Sequence, residues 1–254
     1  MVRRFDLDRD KPIKTQCDFS IVIVTLNAGK SISKCLKALN SQSFKNFEII
    51  NIDGCSTDNT QEIISKFSRL KITSVIEPDD GLYFAMNKGI AMATGKIIGI
   101  INADDYYLPK TLQVVYDYFI SNVGVDGVVG SMYLAGKKIL EPDLSKLGIE
   151  MIPHPALFIE KKCYTKYGNF DTRFKVAADY ELVMRYNKSG VRILEIPEIL
   201  AVMTPGGFSS QHVFRSIIET SILQRKYNEW SFIYTLFKIL RYFSGTLLRR
   251  LKLK

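Results

Sequence analysis

The residues that first suggest chemistry in this chain are Asn102, Asp104 and Asp105, because they end residues 97–101 (IIGII), a run with no polar side chain. Carboxylates so placed can hold a divalent cation: Mg²⁺ and Mn²⁺ are commonly bound by one or two carboxylates together with the phosphates of a substrate. Asn and Asp are also good turn formers, and Pro109 can start a helix shortly afterwards. From these residues alone a metal–diphosphate site and a plain turn are both open. Asp179 poses a similar choice. It lies near the start of a predicted helix that turns Leu182, Val183 and Tyr186 inward, a place where exposed amides favour an acid with or without function. His154, flanked by Pro153 and Pro155, is either a contact for a second substrate or a histidine packed in a loop.

An apolar run of five ending in polar residues suits a strand buried on both faces of a parallel sheet, and ligands of open α/β sheets bind outside the carboxyl ends of such strands. The preceding sequence supplies the partners. Residues 20–26 (SIVIVTL), 47–52 (FEIINI) and 72–76 read as strands. Ile32, Cys35, Leu36 and Leu39 recur at i, i+3, i+4, i+7, one buried helical stripe, and Asp58 with Gln61 opens a second helix. Further helices are expected over 83–93 and 109–120. This alternation predicts right-handed crossovers and a mostly parallel, doubly wound sheet with helices on both faces. Three polar loops, residues 25–29, 53–58 and 102–105, then gather at one edge. The second half is less regular, with strands expected at 125–132 and 156–160.

At 254 residues, 46% of them hydrophobic and 24% charged, a compact globule is the default. The N-terminus lacks a signal-like apolar segment and no stretch of eighteen apolar residues occurs, so a cytoplasmic location is expected. Cys17, Cys35, Cys55 and Cys163 form no CxxC pair and read as free thiols. The net charge of +9 is local: from Gln211 onward nine Lys/Arg face two Glu, against 26 and 24 in the rest. An even basic surface would have suggested nucleic acid; a basic tail does not. In that tail Lys238, Arg241, Arg249 and Lys252 share one helical face opposite Leu236, Leu240, Phe243, Leu247 and Leu251. Such a helix suits an anionic membrane surface, or packs on the domain or on a second subunit in a homo-oligomer. GxGxxG after the first strand and GxxxxGK[ST] are both missing, which disfavours dinucleotide and P-loop folds. A nucleotidyltransferase is disfavoured too, for want of an early Gly-rich loop with a basic residue.

Four ordered motifs, SIVIVTLNAGKSISKCLKALNSQ, IDGCSTDNT, EPDDGLYFAMNKGIAMATGKIIGIINADD and FDTRFKVAADYEL, resemble those of the family 2 glycosyltransferases over residues 19–199. The nearest likeness is to enzymes of colanic-acid-like exopolysaccharide or O-antigen assembly. The resemblance implies a GT-A fold over residues 19–208, with 1–18 an extension and 209–254 a basic amphipathic helical tail. It implies an inverting, metal-dependent transfer of one sugar from a UDP- or GDP-sugar to a lipid-linked saccharide, at the cytoplasmic face of the inner membrane. Thr25, Asn27 and Asp53 would contact the nucleotide, and Asp80, Asn87 and Lys88 the donor sugar and phosphates. Asp104 would bind Mg²⁺ or Mn²⁺, with Asn102 and Asp105 beside it on the donor. Asp179 would be the base and His154 an acceptor contact. Two positions depart from the family pattern: Asn102 replaces the first acid of the metal motif, and Gly54 the second acid after strand two. Weak cation binding by protein alone follows. The processive signature QxxRW is absent, and the rival reading is a nucleotide-sugar-binding protein that has lost catalysis.

Overall fold

The computed structural model describes residues 17–136, 138–146, 152–207 and 212–227. Its first half is the expected alternation: β1 (Phe19–Thr25), α1 (Ile32–Asn40), β2 (Phe47–Asp53), α2 (Thr60–Ser65), β3 (Ile72–Ile76), α3 (Leu82–Met92) and β4 (Ile97–Asn102). After these come β5 (Tyr106–Tyr107), α4 (Thr111–Ser121), β6 (Gly127–Leu134), β7 (Lys138–Leu140), β8 (Leu157–Glu160), α5 (Lys161–Tyr167), α6 (Ala178–Lys188), β9 (Ile193–Met203) and α7 (Val213–Lys226).

The strands form one sheet in the order β3-β2-β1-β4-β8-β6-β9-β5, with β7 paired to β6. Strands β3, β2, β1 and β4 are mutually parallel. All seven residues of β1 are buried, as befits a strand covered on both faces. Alternate side chains divide between two cores. Ile21 and Ile23 pack with Ile32, Leu36 and Leu39 of α1, whereas Val22 and Val24 pack with Met86 and Ile90 of α3 and with α6. Gly99 lets the sheet close at its centre, because a β-carbon there would lie 2.6 Å from the Phe158 ring and 2.9 Å from the Tyr107 hydroxyl.

The second half departs from a parallel continuation. β8 runs antiparallel to both β4 and β6, and β9, which the sequence does not announce, pairs parallel with β6 and antiparallel with β5. Pro197 explains why β9 is hard to read, since proline demotes a strand. The ladder accommodates it by a bulge: Val129 pairs with Glu195, but Ser131 pairs with Ile199. Gly130 faces that bulge, with Leu200 and the Glu198 carbonyl where a side chain would go. Within the C-terminal region, Leu223 of α7 is buried against Ala177, Tyr180 and Met184. No described helix is long and apolar enough to cross a membrane. The tail pattern from Leu236 to Lys252 lies outside the described residues.

Candidate active site

Parallel register places Thr25 beside Asp53 and Val24 beside Asn102, so the loops after β1, β2 and β4 meet at one edge. The first two are laced together. Gly54 N–H donates to the Thr25 carbonyl at 2.9 Å, Asn27 N–H to the Ser56 hydroxyl at 2.8 Å, and Gly29 N–H to Asp58 at 2.9 Å. Asn27 reaches this position in the left-handed region (φ 51°), and its side-chain carbonyl accepts from Thr57 N–H at 2.9 Å. Asp53 is fully buried and spends both carboxylate oxygens on the loop: it accepts from the Thr25 hydroxyl (2.7 Å), Ser56 N–H (2.6 Å) and the Ser56 hydroxyl (2.8 Å). Burial pushes its carboxyl up, but those hydrogen bonds outweigh burial and hold it below its usual range.

The third loop is held from the far end of the chain. Thr204, just past β9, donates its N–H to Asp105 at 3.0 Å and its hydroxyl to the Asp104 carbonyl oxygen at 2.7 Å. Asp105 is 1% exposed and also accepts from the Asn102 amide at 3.3 Å. Burial, then the neighbouring Asp104 charge, push its carboxyl up to about 7. The Asn102 side-chain carbonyl oxygen is buried with no partner among the described residues.

Asp104 faces a cavity of about 440 Å³, within the range of small-ligand sites. Its walls include Asn27, Tyr83, Asn102, Asp105, His154, Asp179 and the segment from Met203 to Gly207. Asp179 therefore shares one space with Asp104. Its Oδ1 accepts from the Tyr83 hydroxyl at 3.1 Å, and that hydroxyl also lies 2.9 Å from the Val176 carbonyl. His154 Nε2 is buried without a described partner, and burial holds the ring below its usual pKa against the opposing pull of Asp179 and Asp104. Burial thus favours the neutral ring, and its Nε2 is left open for a hydrogen bond.

Asn27, Asn102, Asp104, Asp105, His154 and Asp179 thus line one cavity, while Thr25, Asp53, Asp80, Asn87 and Lys88 do not. Thr25 and Asp53 support the loop beneath. Asn87 bonds both ways to the Phe170 backbone, at 2.9 and 3.0 Å, and Lys88 pairs with Glu77. Asp80 is exposed. Its neighbour Asp79 accepts from Gly81 N–H at 2.8 Å and puts its other oxygen 2.9 Å from where a side chain at Gly54 would begin. The room left by the missing acid at 54 is filled by a carboxylate from the next loop. Tyr83 and Thr204 escaped the sequence reading, although Thr204-Pro205-Gly206-Gly207 carries a turn signal.

Among the described residues no cluster of three His, Cys, Asp or Glu could hold a metal by itself. At the end of β4 the oxygens left for a cation are the Asp104 carboxylate, which lines the cavity, and the Asn102 carbonyl oxygen, which has no partner among the described residues. That sparse, all-oxygen set fits a Mg²⁺- or Mn²⁺-type cation that takes its remaining ligands from a diphosphate and water.

The sequence profile described as Glycosyl transferase family 2 matches residues 20–181. A PGL/p-HBAD biosynthesis glycosyltransferase of Mycobacterium bovis is 32% identical over 177 residues, covering 66% of this chain and 68% of the relative. A chondroitin synthase of Pasteurella multocida is 26% identical over 187 residues, covering 67% of this chain but 19% of that protein. In fold, S. aureus TarS 1-349 in complex with UDP-GlcNAc superposes with a TM-score of 0.66 at 20% identity, over 81% of this chain and 66% of that one. The mannosyltransferase PcManGT of Pyrobaculum calidifontis, in complex with GDP-Man and Mn²⁺, gives 0.63 at 18% identity, over 82% and 65%. The chain spans only 39% of the longer TarS chain. With the profile covering more than half the sequence and the sheet matching GT-A structures, the chain belongs to glycosyltransferase family 2.

Proposed function

We propose that this glycosyltransferase moves one sugar, with inversion, from a UDP- or GDP-sugar to a hydroxyl of a saccharide acceptor, using Asp179 as base. The observation that carries this reading is the meeting of Asp104 and Asp179 on the walls of one cavity, with the open Nε2 of His154 beside them. Asp179 takes the proton of the acceptor hydroxyl as that oxygen attacks the anomeric carbon, while the bond to the diphosphate breaks on the opposite face. Tyr83, donating to Asp179, holds the carboxylate toward the cavity. His154 meets the acceptor as a neutral hydrogen-bonding ring. Asp104, with the Asn102 carbonyl oxygen, would hold a divalent cation, whose chemistry is to stabilise charge on the departing diphosphate. Asn27 borders the nucleotide end; Thr25 and Asp53 act on it through the loop they brace.

A saccharide carried on a lipid, and docking of the basic tail on an anionic leaflet, belong to the same reading and rest on the tail sequence. Flotation with anionic vesicles, comparing the full chain with one ending before Phe232, tests that part; equal binding by both refutes it. The chemistry is tested by kinetics. Asp179→Asn should lower kcat by on the order of 10²–10⁴-fold with donor binding retained, the range for a lost general base. Asp104→Asn should lose Mn²⁺-dependent nucleotide binding as well. Near-wild-type turnover in Asp179→Asn would remove the proposed base. Thermal shifts with UDP-, GDP- and dTDP-sugars plus Mn²⁺ identify the donor, since ligands that bind only the native state raise its apparent stability.

A further inference from the structure

Helix α6 carries Asp179 in its first turn but brings no side-chain cap of its own, with Ala177 at the N-cap position. The cap comes from another element. Glu219 of α7, 6% exposed, accepts from the N–H of Lys175 at 3.0 Å on one oxygen and from those of Val176 (2.8 Å) and Ala177 (3.0 Å) on the other. Arg215, one turn earlier, donates to the first oxygen at 2.7 Å and fixes the carboxylate from the outside. The last of these peptide groups is also gripped from its other side, because the Val176 carbonyl, bonded to the Ala177 nitrogen, accepts from the same Tyr83 hydroxyl that reaches Asp179. The backbone leading into Asp179 is therefore clamped between Glu219 and Tyr83. α7 lies beyond residues 20–181, the span of the family match.

We infer that Glu219 is a positioning residue for the proposed base: by capping residues 175–177 it sets the place and direction from which Asp179 enters the cavity. This inference rests on the assignment of Asp179 as base. Three N–H donors converging on one buried carboxylate make charge-assisted hydrogen bonds at a helix N-terminus, where a negative group is favoured. Releasing them frees the first turn of α6 while the nucleotide-side loops after β1, β2 and β4 stay in place. Since misplacing a reacting group by about 1 Å can cost on the order of 10²-fold in rate, the penalty should fall on turnover and spare donor binding.

Glu181 provides a matched control. It is 1% exposed on the same α6–α7 interface and its carboxylate accepts from Arg185 and from the Tyr227 hydroxyl at 2.8 Å, but not from the backbone N–H groups before Asp179. Glu219→Gln, Glu181→Gln and wild type are compared for kcat, donor KM and thermal midpoint, with UDP and Mn²⁺ binding measured separately. Expected for Glu219→Gln is a kcat at least tenfold lower, with donor KM and nucleotide affinity within about twofold, whereas Glu181→Gln loses comparable thermal stability and keeps kcat within about threefold. If both variants lose kcat in proportion to stability, or Glu219→Gln keeps full turnover, the inference is overturned. Should Glu219→Gln not be recovered folded, Glu219→Asp, which keeps the charge for Arg215 but shortens the reach to the three N–H groups, carries the same readout. If Asp179→Asn retains turnover, the base assignment has failed; if it loses turnover while Glu219→Gln does not, only the positioning role has.

Discussion

Replacing Asp105 by asparagine separates the electrostatics of the loop after β4 from its shape. Burial and the Asp104 charge carry the Asp105 carboxyl from 3.8 to about 7. At ~1.4 kcal/mol per pH unit, that makes its ionised form a liability of up to about 4 kcal/mol. The folded value lies above the unfolded one. The stabilising contribution of the neutral form is therefore complete below pH ~4 and is lost as the pH rises through about 7. Asparagine is neutral at every pH and keeps the geometry: its carbonyl can accept from Thr204 N–H, and its amide can donate to the Asn102 carbonyl oxygen once the Asn102 amide turns over, which puts the Asn102 NH2 group where that oxygen now lies buried. Thermal unfolding with chelator present should show Asp105→Asn and wild type alike near pH 4. At pH 8 the variant should lead by up to on the order of 10 °C, given ~2–4 °C per kcal/mol for a domain of this size. Mn²⁺ with UDP should narrow the pH 8 gap, because a nearby cation favours the carboxylate. A variant no more stable than wild type at pH 8, or equally favoured at pH 4, would refute the reasoning.

Gly99→Ala places a methyl 2.6 Å from the Phe158 ring and 2.9 Å from the Tyr107 hydroxyl at the centre of the sheet. Overpacking of this kind costs ~1–3 kcal/mol, and an unchanged unfolding midpoint in denaturant would contradict it. Cys55 is exposed while Cys17, Cys35 and Cys163 are buried, and burial pushes the Cys35 and Cys163 thiols up. Maleimide should therefore label one thiol per native chain rapidly, and Cys55→Ser should abolish that phase; two fast thiols would count against the packing described.

The parallel half of the sheet was legible because its signals are local. β-Branched runs, the Ile32–Leu39 stripe and the polar loops each occupy a few consecutive residues, and the strands formed within two residues of their expected ends. Asp104 and Asp179 were legible from residue type and motif, and they do face one cavity. What escaped depends on pairing between distant segments. That β8 enters antiparallel beside β4 is decided by register across the sheet, and Pro197 obscured β9. The use of Asp53 and Asn87 was hidden for the same reason, since each side chain is occupied by a partner far along the chain or by the fold of its own loop.

The reliance of the site on β9 gives the enzyme an order of assembly. Tyr106–Tyr107 becomes a strand by pairing with Ala201–Val202, and the loop before it is fastened by Thr204. During synthesis the loops after β1 and β2 can form while these fasteners are still unmade, since domains generally fold from the N-terminus. A nascent or prematurely terminated chain would then lack the clasp around Asp104 and Asp105.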